Sequence, residues 1–411
     1  MSSHLPETKA EAPSTQGIGV FRDNRKRPIH RWYPFVEGYS SALVDRALDE
    51  ASDSSVVFDP FGGSGTTALT AATRAVNSAF TEVNPYMAWV ADVKVNQAAV
   101  AARSLDSVQV LRRMAGQNIP TSPTSLDHPL IEVSAKRDYF RPGVAESIVA
   151  ALDWIDGEVD GPVREIARLA VATSITSASN MVRRTDLRRR RSNEAEPKQF
   201  KQLLQDRLRE VAEDLELAGQ SIVGRATQIG TDAKGGFGSY APFTLVVTSP
   251  PYLNGTNYGR NTKLELLALG YIDSERGLQG LRATEITAGI NNVAKRNALP
   301  DLTDSVEAVA TEIELQTYDQ RIPAMVRAYF SEMRSVLKAV HARSAPGAEL
   351  WLDIGDSRYS GVSVPTHSLL EEIADNVGWS VVTHEIIRSR RSYDGAQLTQ
   401  SLIRFKRTES S

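Results

Sequence analysis

The sequence predicts a doubly wound, mostly parallel α/β sheet carrying a helical insertion, and three observations predict it. A short apolar run over residues 55–60 ends at Asp59-Pro60 and turns through Phe61-Gly62-Gly63-Ser64-Gly65 into an Ala/Thr-rich helical stretch that begins at Thr66. A second apolar run, residues 78–83, carries Glu82 near its end, about 20 residues after the turn. A third, Phe243-Thr244-Leu245-Val246-Val247, runs straight into Thr248-Ser249-Pro250-Pro251-Tyr252. Strand, glycine turn, helix and a strand closing on a carboxylate make the first half of such a sheet, and a later buried strand resumes it.

In chain order, residues 1–24 are polar and bear Pro, Ser and Thr without an apolar core, so they read as a disordered tail and not a signal peptide. Residues 25–100 form the first half of the core. They open with the basic, aromatic stretch Arg25-Lys26-Arg27-Pro28-Ile29-His30-Arg31-Trp32-Tyr33-Pro34-Phe35, and an amphipathic helix follows through about Glu50. Residues 101–225 have helical periodicity, clearest over 144–153, 163–181 and 200–217, and read as an insertion. Residues 226–411 form the second half, with strands expected at 226–230, 243–247 and 349–354 and a long helix over 318–342. Residues 273–316 read as an irregular insertion, and 379–387 with 402–405 as a closing antiparallel pair.

Of the 411 residues, 41% are hydrophobic and 24% charged, the balance of a soluble enzyme, and no apolar run approaches the roughly 20 residues that span a bilayer. A cytoplasmic protein is expected. The chain has no cysteine, which removes disulfides, thiolate zinc sites and any cysteine nucleophile together. The formal charge of −3 speaks against a protein that coats nucleic acid, yet arginines cluster at Arg183, Arg184, Arg188, Arg189, Arg190 and Arg191, and again at Arg388, Arg390 and Arg391. A charge run is most often a solvated face; beside a site acting on nucleic acid it becomes a phosphate contact. His30 and His367 read as ordinary surface or capping residues.

The glycine turn lets backbone approach a ligand without a Cβ in the way, beside the positive end of a helix dipole, which suits a nucleotide-like cofactor. It lacks the Gly-Lys-Ser/Thr ending of a phosphate loop and the Gly-x-Gly-x-x-Gly spacing of dinucleotide sites. Glu82 stands where a carboxylate accepts both hydroxyls of a ribose. Ser249-Pro250-Pro251-Tyr252 lies at the carboxyl end of a buried strand, where open α/β sheets place their ligands, and its prolines fix φ and hold one carbonyl in place.

These motifs together resemble the DNA amino-methyltransferases, which make N4-methylcytosine or N6-methyladenine. The resemblance runs from about Arg25 to Lys406. It implies a Rossmann-like methyltransferase core in which Asp59-Pro60-Phe61-Gly62-Gly63-Ser64-Gly65-Thr66 forms the S-adenosyl-L-methionine loop and Ser249-Pro250-Pro251-Tyr252 is catalytic. It further implies that Asp232, in Gly230-Thr231-Asp232-Ala233, accepts from the cofactor's adenine, and that Tyr33-Pro34-Phe35 closes over its methionine end. Serine at the first catalytic position resembles the cytosine-N4 members. So do Ser179-Asn180-Met181-Val182-Arg183-Arg184 and Asp353-Ile354-Gly355-Asp356-Ser357.

The chemistry agrees with the residue inventory. The lone pair of an exocyclic amine is delocalised into the base, and acceptors aimed at its hydrogens, the Ser249 hydroxyl and the Pro250 carbonyl, favour a tetrahedral nitrogen that can attack a methyl group in line. Tyr252 offers a stacking face to a base taken out of double-stranded DNA. Carbon-5 methylation and zinc deamination both need cysteine, whereas direct transfer to nitrogen needs neither cysteine nor metal. The expected partners are DNA, contacted by the two arginine clusters, and a cognate restriction or phage-defence protein. Adenine-N6 or an RNA base as target, or a silent DNA-binding subunit on the same scaffold, are the competing readings.

Overall fold

The computed structural model describes residues 23–34, 38–290, 293, 302–392 and 395–408. Most of the expected tail and Phe35 lie outside them. The strands are β1 (Val57–Asp59), β2 (Ser78–Thr81), β3 (Met181–Arg183), β4 (Leu187–Arg189), β5 (Ala226–Gly230), β6 (Phe243–Thr248), β7 (Ser344–Gly355), β8 (Ser357–Tyr359), β9 (Val362–Val364), β10 (Trp379–Arg391) and β11 (Gln397–Arg407). A seven-stranded sheet runs in the order β10-β11-β7-β6-β1-β2-β5. β5, β2, β1, β6 and β7 are parallel, and β11 and β10 close the edge antiparallel.

The chain steps outward from β1 to β2 to β5, then returns to β6 on the other side of β1. That reversal puts a topological switch point between β1 and β6, where crossover connections leave in opposite directions and open a crevice. The glycine turn follows β1 and the Ser-Pro-Pro-Tyr turn follows β6, so both predicted motifs emerge at this point. The expected doubly wound fold is the observed one.

Helices cover both faces. On one, Leu69, Phe80, Tyr86 and Val90 of the first half of the core share a continuous apolar cluster with Leu111, Ile148, Leu169, Leu208 and Leu215 of residues 101–225. On the other, Tyr329, Phe330 and Leu337 of helix Arg321–Arg343 and Leu370 and Ile373 of helix Thr366–Asp375 pack on Phe58, Val246 and Leu352.

A buried carboxylate ties the N-terminal segment to the insertion. Asp214, fully buried on helix Phe200–Ala218, accepts from the Ile29 N–H at 2.8 Å, the Trp32 indole at 3.0 Å, and the Arg31 guanidinium at 2.6 and 3.0 Å. Ile29 has φ of 64° and ψ of −43°, a positive-φ turn conformation that costs a β-branched residue about 1–3 kcal/mol, and the bond to Asp214 holds it there.

Several expectations are corrected. The expected helix 163–181 ends at Ala178, and the arginine-rich stretch after it folds as the β3–β4 hairpin. Residues 273–316 contain helices Glu275–Arg282 and Asp304–Gln316, whose polar faces mask their periodicity. The closing pair is longer than its apolar residues suggest, because β10 lies at the sheet edge with Val381, Val382 and Ile386 exposed. His30 is not on the surface: it is buried, and burial pulls its pKa well below the usual value. No described helix is long and apolar enough to cross a membrane.

Candidate functional site

Asp59 sets the geometry of the switch point. Buried at the end of β1, it accepts from the Thr248 hydroxyl at 2.7 Å, the Phe61 N–H at 3.0 Å and the Tyr39 hydroxyl at 2.9 Å, while burial raises its pKa. One side chain thereby ties the start of the glycine turn to the last residue of β6. Asp59 is not on the wall of the cleft beyond it.

That cleft, about 840 Å³ counted out to its open mouth, is walled by Pro60, Phe61, Gly63, Glu82 and Asp232 from one half of the sheet and by Ser249, Pro250 and Pro251 from the other. Tyr258 also lines it. Gly63 has φ of 50°, and its N–H donates to Glu82 at 2.8 Å; the other Glu82 oxygen accepts from the Asn84 N–H at 2.9 Å. Burial pushes the Glu82 carboxyl up to about 7, against the pull of those backbone N–H groups.

The glycines divide into two roles. A Cβ on Gly62 would sit 2.7 Å from the Phe80 ring, and one on Gly65 would meet Ala91 at 2.9 Å, so these two serve packing of the turn and its helices. The expectation that they clear the way for a ligand gives way to this tighter reason. Ser64, Gly65 and Thr66 lie behind the turn, away from the cleft wall.

Asp232 is half-exposed; one oxygen accepts from the Lys234 N–H at 2.9 Å and pairs with the Lys234 ammonium at 3.1 Å. Tyr33 and Pro34 do not line the cleft. The Tyr33 ring is buried edge-on to Tyr86 with the Arg183 guanidinium 5.3 Å over it, and its burial raises its hydroxyl to about 12.

Beyond Pro251 the tetrapeptide turns from the cleft wall. The Tyr252 ring packs on Gly355, where a Cβ would stand 3.1 Å from two ring carbons. Its N–H donates to the Tyr258 hydroxyl at 3.2 Å, and its own hydroxyl accepts from the Gln400 amide at 2.9 Å and from Ser249 at 3.4 Å. The same Gln400 amide donates to Asp353 at 2.8 Å. Asp353, near the end of β7 and buried, faces the hydroxyls of Tyr252 and Ser249, and burial drives its carboxyl up to about 7. The sequence marks Asp353 only within a resembling stretch. The signal for its place was available, since an acid closing a buried apolar strand is the pattern that singled out Glu82.

The arginines separate by environment. Arg183 is not a surface residue: it pairs with the fully buried Glu265 and donates to the Asn261 carbonyl at 2.9 Å. Arg190 donates to the carbonyls of Ser179 at 3.0 Å and Ala195 at 2.9 Å and holds the hairpin closed. Arg188 pairs with Glu194 at 2.7 Å and Arg189 with Asp138 at 2.6 Å. Arg184 and Arg191 are exposed, as are Arg388, Arg390 and Arg391. Arg184 and the Arg388 group flank the tetrapeptide, whereas Arg191 lies past the open end of the hairpin. The β3–β4 turn docks on the segment that follows it, the Thr185 carbonyl accepting from the Asn257 N–H at 2.9 Å, and Arg388 lies directly across from Gln400 in the sheet. His367 donates through Nδ1 to the Asp356 carboxylate at 2.7 Å, a half-buried pair.

No protein-family model matches the chain. Two crystal structures show how distant the solved neighbours are: TrmN from Thermus thermophilus (TM-score 0.31, 9% identity, 89% of this chain and 48% of that one) and a SAM-dependent methyltransferase from Methanosarcina mazei (TM-score 0.31, 9% identity, 90% and 98%). The fold stands on its own strand order, to which likeness at this level adds nothing. Among curated proteins, Type II methyltransferase M.AvaI of Nostoc sp. (strain PCC 7120) is 23% identical over 89% of this chain and 82% of its own. Type II methyltransferase M.BsoBI of Geobacillus stearothermophilus is 22% identical over 92% of this chain and 84% of its own, so along about nine-tenths of its length this chain is similar to Type II methyltransferases.

Proposed function

We propose that this protein is an S-adenosyl-L-methionine-dependent DNA methyltransferase that transfers a methyl group to an exocyclic amine, with the N4 amine of cytosine as its target. The observation that carries the reading is the shared cleft: Gly63 and Glu82 on one wall face Ser249, Pro250 and Pro251 on the other, across the switch point of the sheet. Similarity to Type II methyltransferases over most of the chain supports it.

The residues present fit the cofactor. Glu82 is a part-buried carboxylate on the cleft wall whose pKa desolvation raises, and ribose hydroxyls would add donors to it; Asp232 keeps one oxygen outside its turn for an amino group. When bound, the cofactor supplies the electrophilic methyl. The protein's part is placement. Ser249 and the Pro250 carbonyl accept the amine hydrogens of a flipped base, and the cleft-lining Tyr258, rather than the expected Tyr252, gives its ring a face. The amine sheds a proton as it gains the methyl, and the Ser249 hydroxyl leads that proton toward Asp353. Arg184 and Arg191 on one side and Arg388, Arg390 and Arg391 on the other hold phosphates of the duplex. A companion nuclease with the same recognition sequence, in the cytoplasm, completes the proposal.

The test is transfer of labelled methyl from S-adenosyl-L-methionine to unmodified DNA, followed by digestion and mass spectrometry. N4-methylcytosine is expected, lost on Ser249→Ala with cofactor affinity kept. N6-methyladenine would overturn the choice of base, and no transfer to any DNA would overturn the proposal.

A further inference from the structure

Lys94 is a fully buried lysine that the mechanism above does not use. It lies among Val93 and Val95, both with no exposure, in a core built from Leu69, Tyr86, Val90 and Leu111. Among the described residues it makes no ion pair, and its ammonium donates to the Ser64 carbonyl at 2.7 Å. Burial pulls its pKa down to about 7. A site needing only apolar volume holds methionine or leucine, since an unpaired amine in a core is costly.

The local backbone is equally unusual. Helix Pro85–Asp92 continues through a π-helical turn, Val93–Gln97, before helix Ala98–Ala101. A π turn inserts one residue, and here it brings three consecutive side chains, Val93, Lys94 and Val95, to the buried side. Ala91 touches Gly65, and Lys94, one helical turn further on the same face, reaches Ser64. Ser64 itself stands between two residues of left-handed φ, Gly63 at 50° and Gly65 at 76°. Such a pair reverses the chain and turns the intervening carbonyl inward, where it needs a donor.

We propose that Lys94 is a positioning residue of the cofactor turn, holding the Ser64 carbonyl inward and thereby fixing the Gly63 peptide whose N–H meets Glu82 at the cleft. The inference rests on the reading of this cleft as the cofactor site. Ala91 lets the helix close on the turn, the inserted π residue aims Lys94 at it, and the lysine stem fills the space a core residue would fill.

The experiment compares the full chain with Lys94→Met and Lys94→Gln, by calorimetric binding of S-adenosyl-L-methionine, thermal melting, and hydrogen exchange of ligand-free peptides covering residues 62–66. Lys94→Met should melt at or above the wild-type temperature, bind the cofactor at least tenfold more weakly, and exchange faster over residues 62–66. Lys94→Gln keeps a donor and should recover part of both losses. Wild-type affinity and exchange in Lys94→Met would overturn the proposal; if that variant does not fold, Lys94→Gln decides by the same comparison. If wild-type protein binds no cofactor, the reading of the cleft fails instead, and the exchange rates still decide whether Lys94 fixes the turn.

Discussion

Asp353→Asn should raise stability and lower catalysis at the same pH. Burial pushes the carboxyl up to about 7 in the fold from an ordinary value of 3.8, which at 1.36 kcal/mol per pKa unit corresponds to at most about 4 kcal/mol. The sign follows from linkage. The folded state holds the proton more tightly than the unfolded chain, so stability is full below pH 4, falls as pH rises toward 7, and stays reduced above it. An asparagine amide has no proton to lose and escapes that penalty, less about 1 kcal/mol for rearranging the bond to Gln400. Urea unfolding at pH 8 should therefore show the variant more stable by about 1–3 kcal/mol, with the gap shrinking toward pH 5. Methyl transfer should fall by about 10²-fold or more, as expected for loss of a proton acceptor. In wild-type protein the rate should climb through pH 7 as the carboxyl ionises. A variant less stable than its parent at pH 8, with a gap independent of pH, would refute the argument.

Other expectations test the remaining framework. Arg183→Ala should cost about 3–5 kcal/mol in unfolding experiments, because it strands Glu265 in the core, whereas Arg184→Ala should leave stability within about 0.5 kcal/mol. Asp214→Asn should lower the melting temperature by weakening the charge-assisted bonds to Ile29, Arg31 and Trp32, a loss of about 1.5–3 kcal/mol visible by calorimetry. Replacing Arg184, Arg388 and Arg390 together by alanine should reduce the slope of log affinity for DNA against log salt by about 3, one phosphate each at roughly 0.9. Arg190→Ala should disturb the hairpin and leave that slope nearly unchanged.

The fold and the two cleft walls are legible in the sequence because their signals are local. A glycine turn after an apolar strand, an acid closing the next strand and two prolines after a third each depend on residues within one short segment. Features that depend on distant partners are not legible in this way. Arg183 reads like its neighbours until Glu265, 82 positions away, comes to meet it, and Asp214 is one acid among many on an amphipathic helix until Ile29, Arg31 and Trp32 converge on it. Lys94 hides for a different reason: a polar residue in a helical pattern is taken as solvent-facing, and the inserted π residue reverses that face. His30 is misplaced by the same habit of reading polar residues outward.

The core shared by residues 101–225 and the first half of the sheet sets how the chain can come apart and how it can change. Residues 101–225 interrupt the sheet between β2 and β5, neighbouring strands at its edge, so length can be added there without disturbing the register of β1 and β6. Yet Leu111, Leu169 and Leu215 of the insertion bury the same apolar surface as Tyr86 and Val90 behind the glycine turn. The insertion is therefore no exchangeable module. Melting it would expose the back of the glycine turn, and the two should lose hydrogen-exchange protection as one cooperative unit. A graft that replaced residues 101–225 would have to carry helix Pro85–Asp92 with it, so the two segments are constrained to vary together.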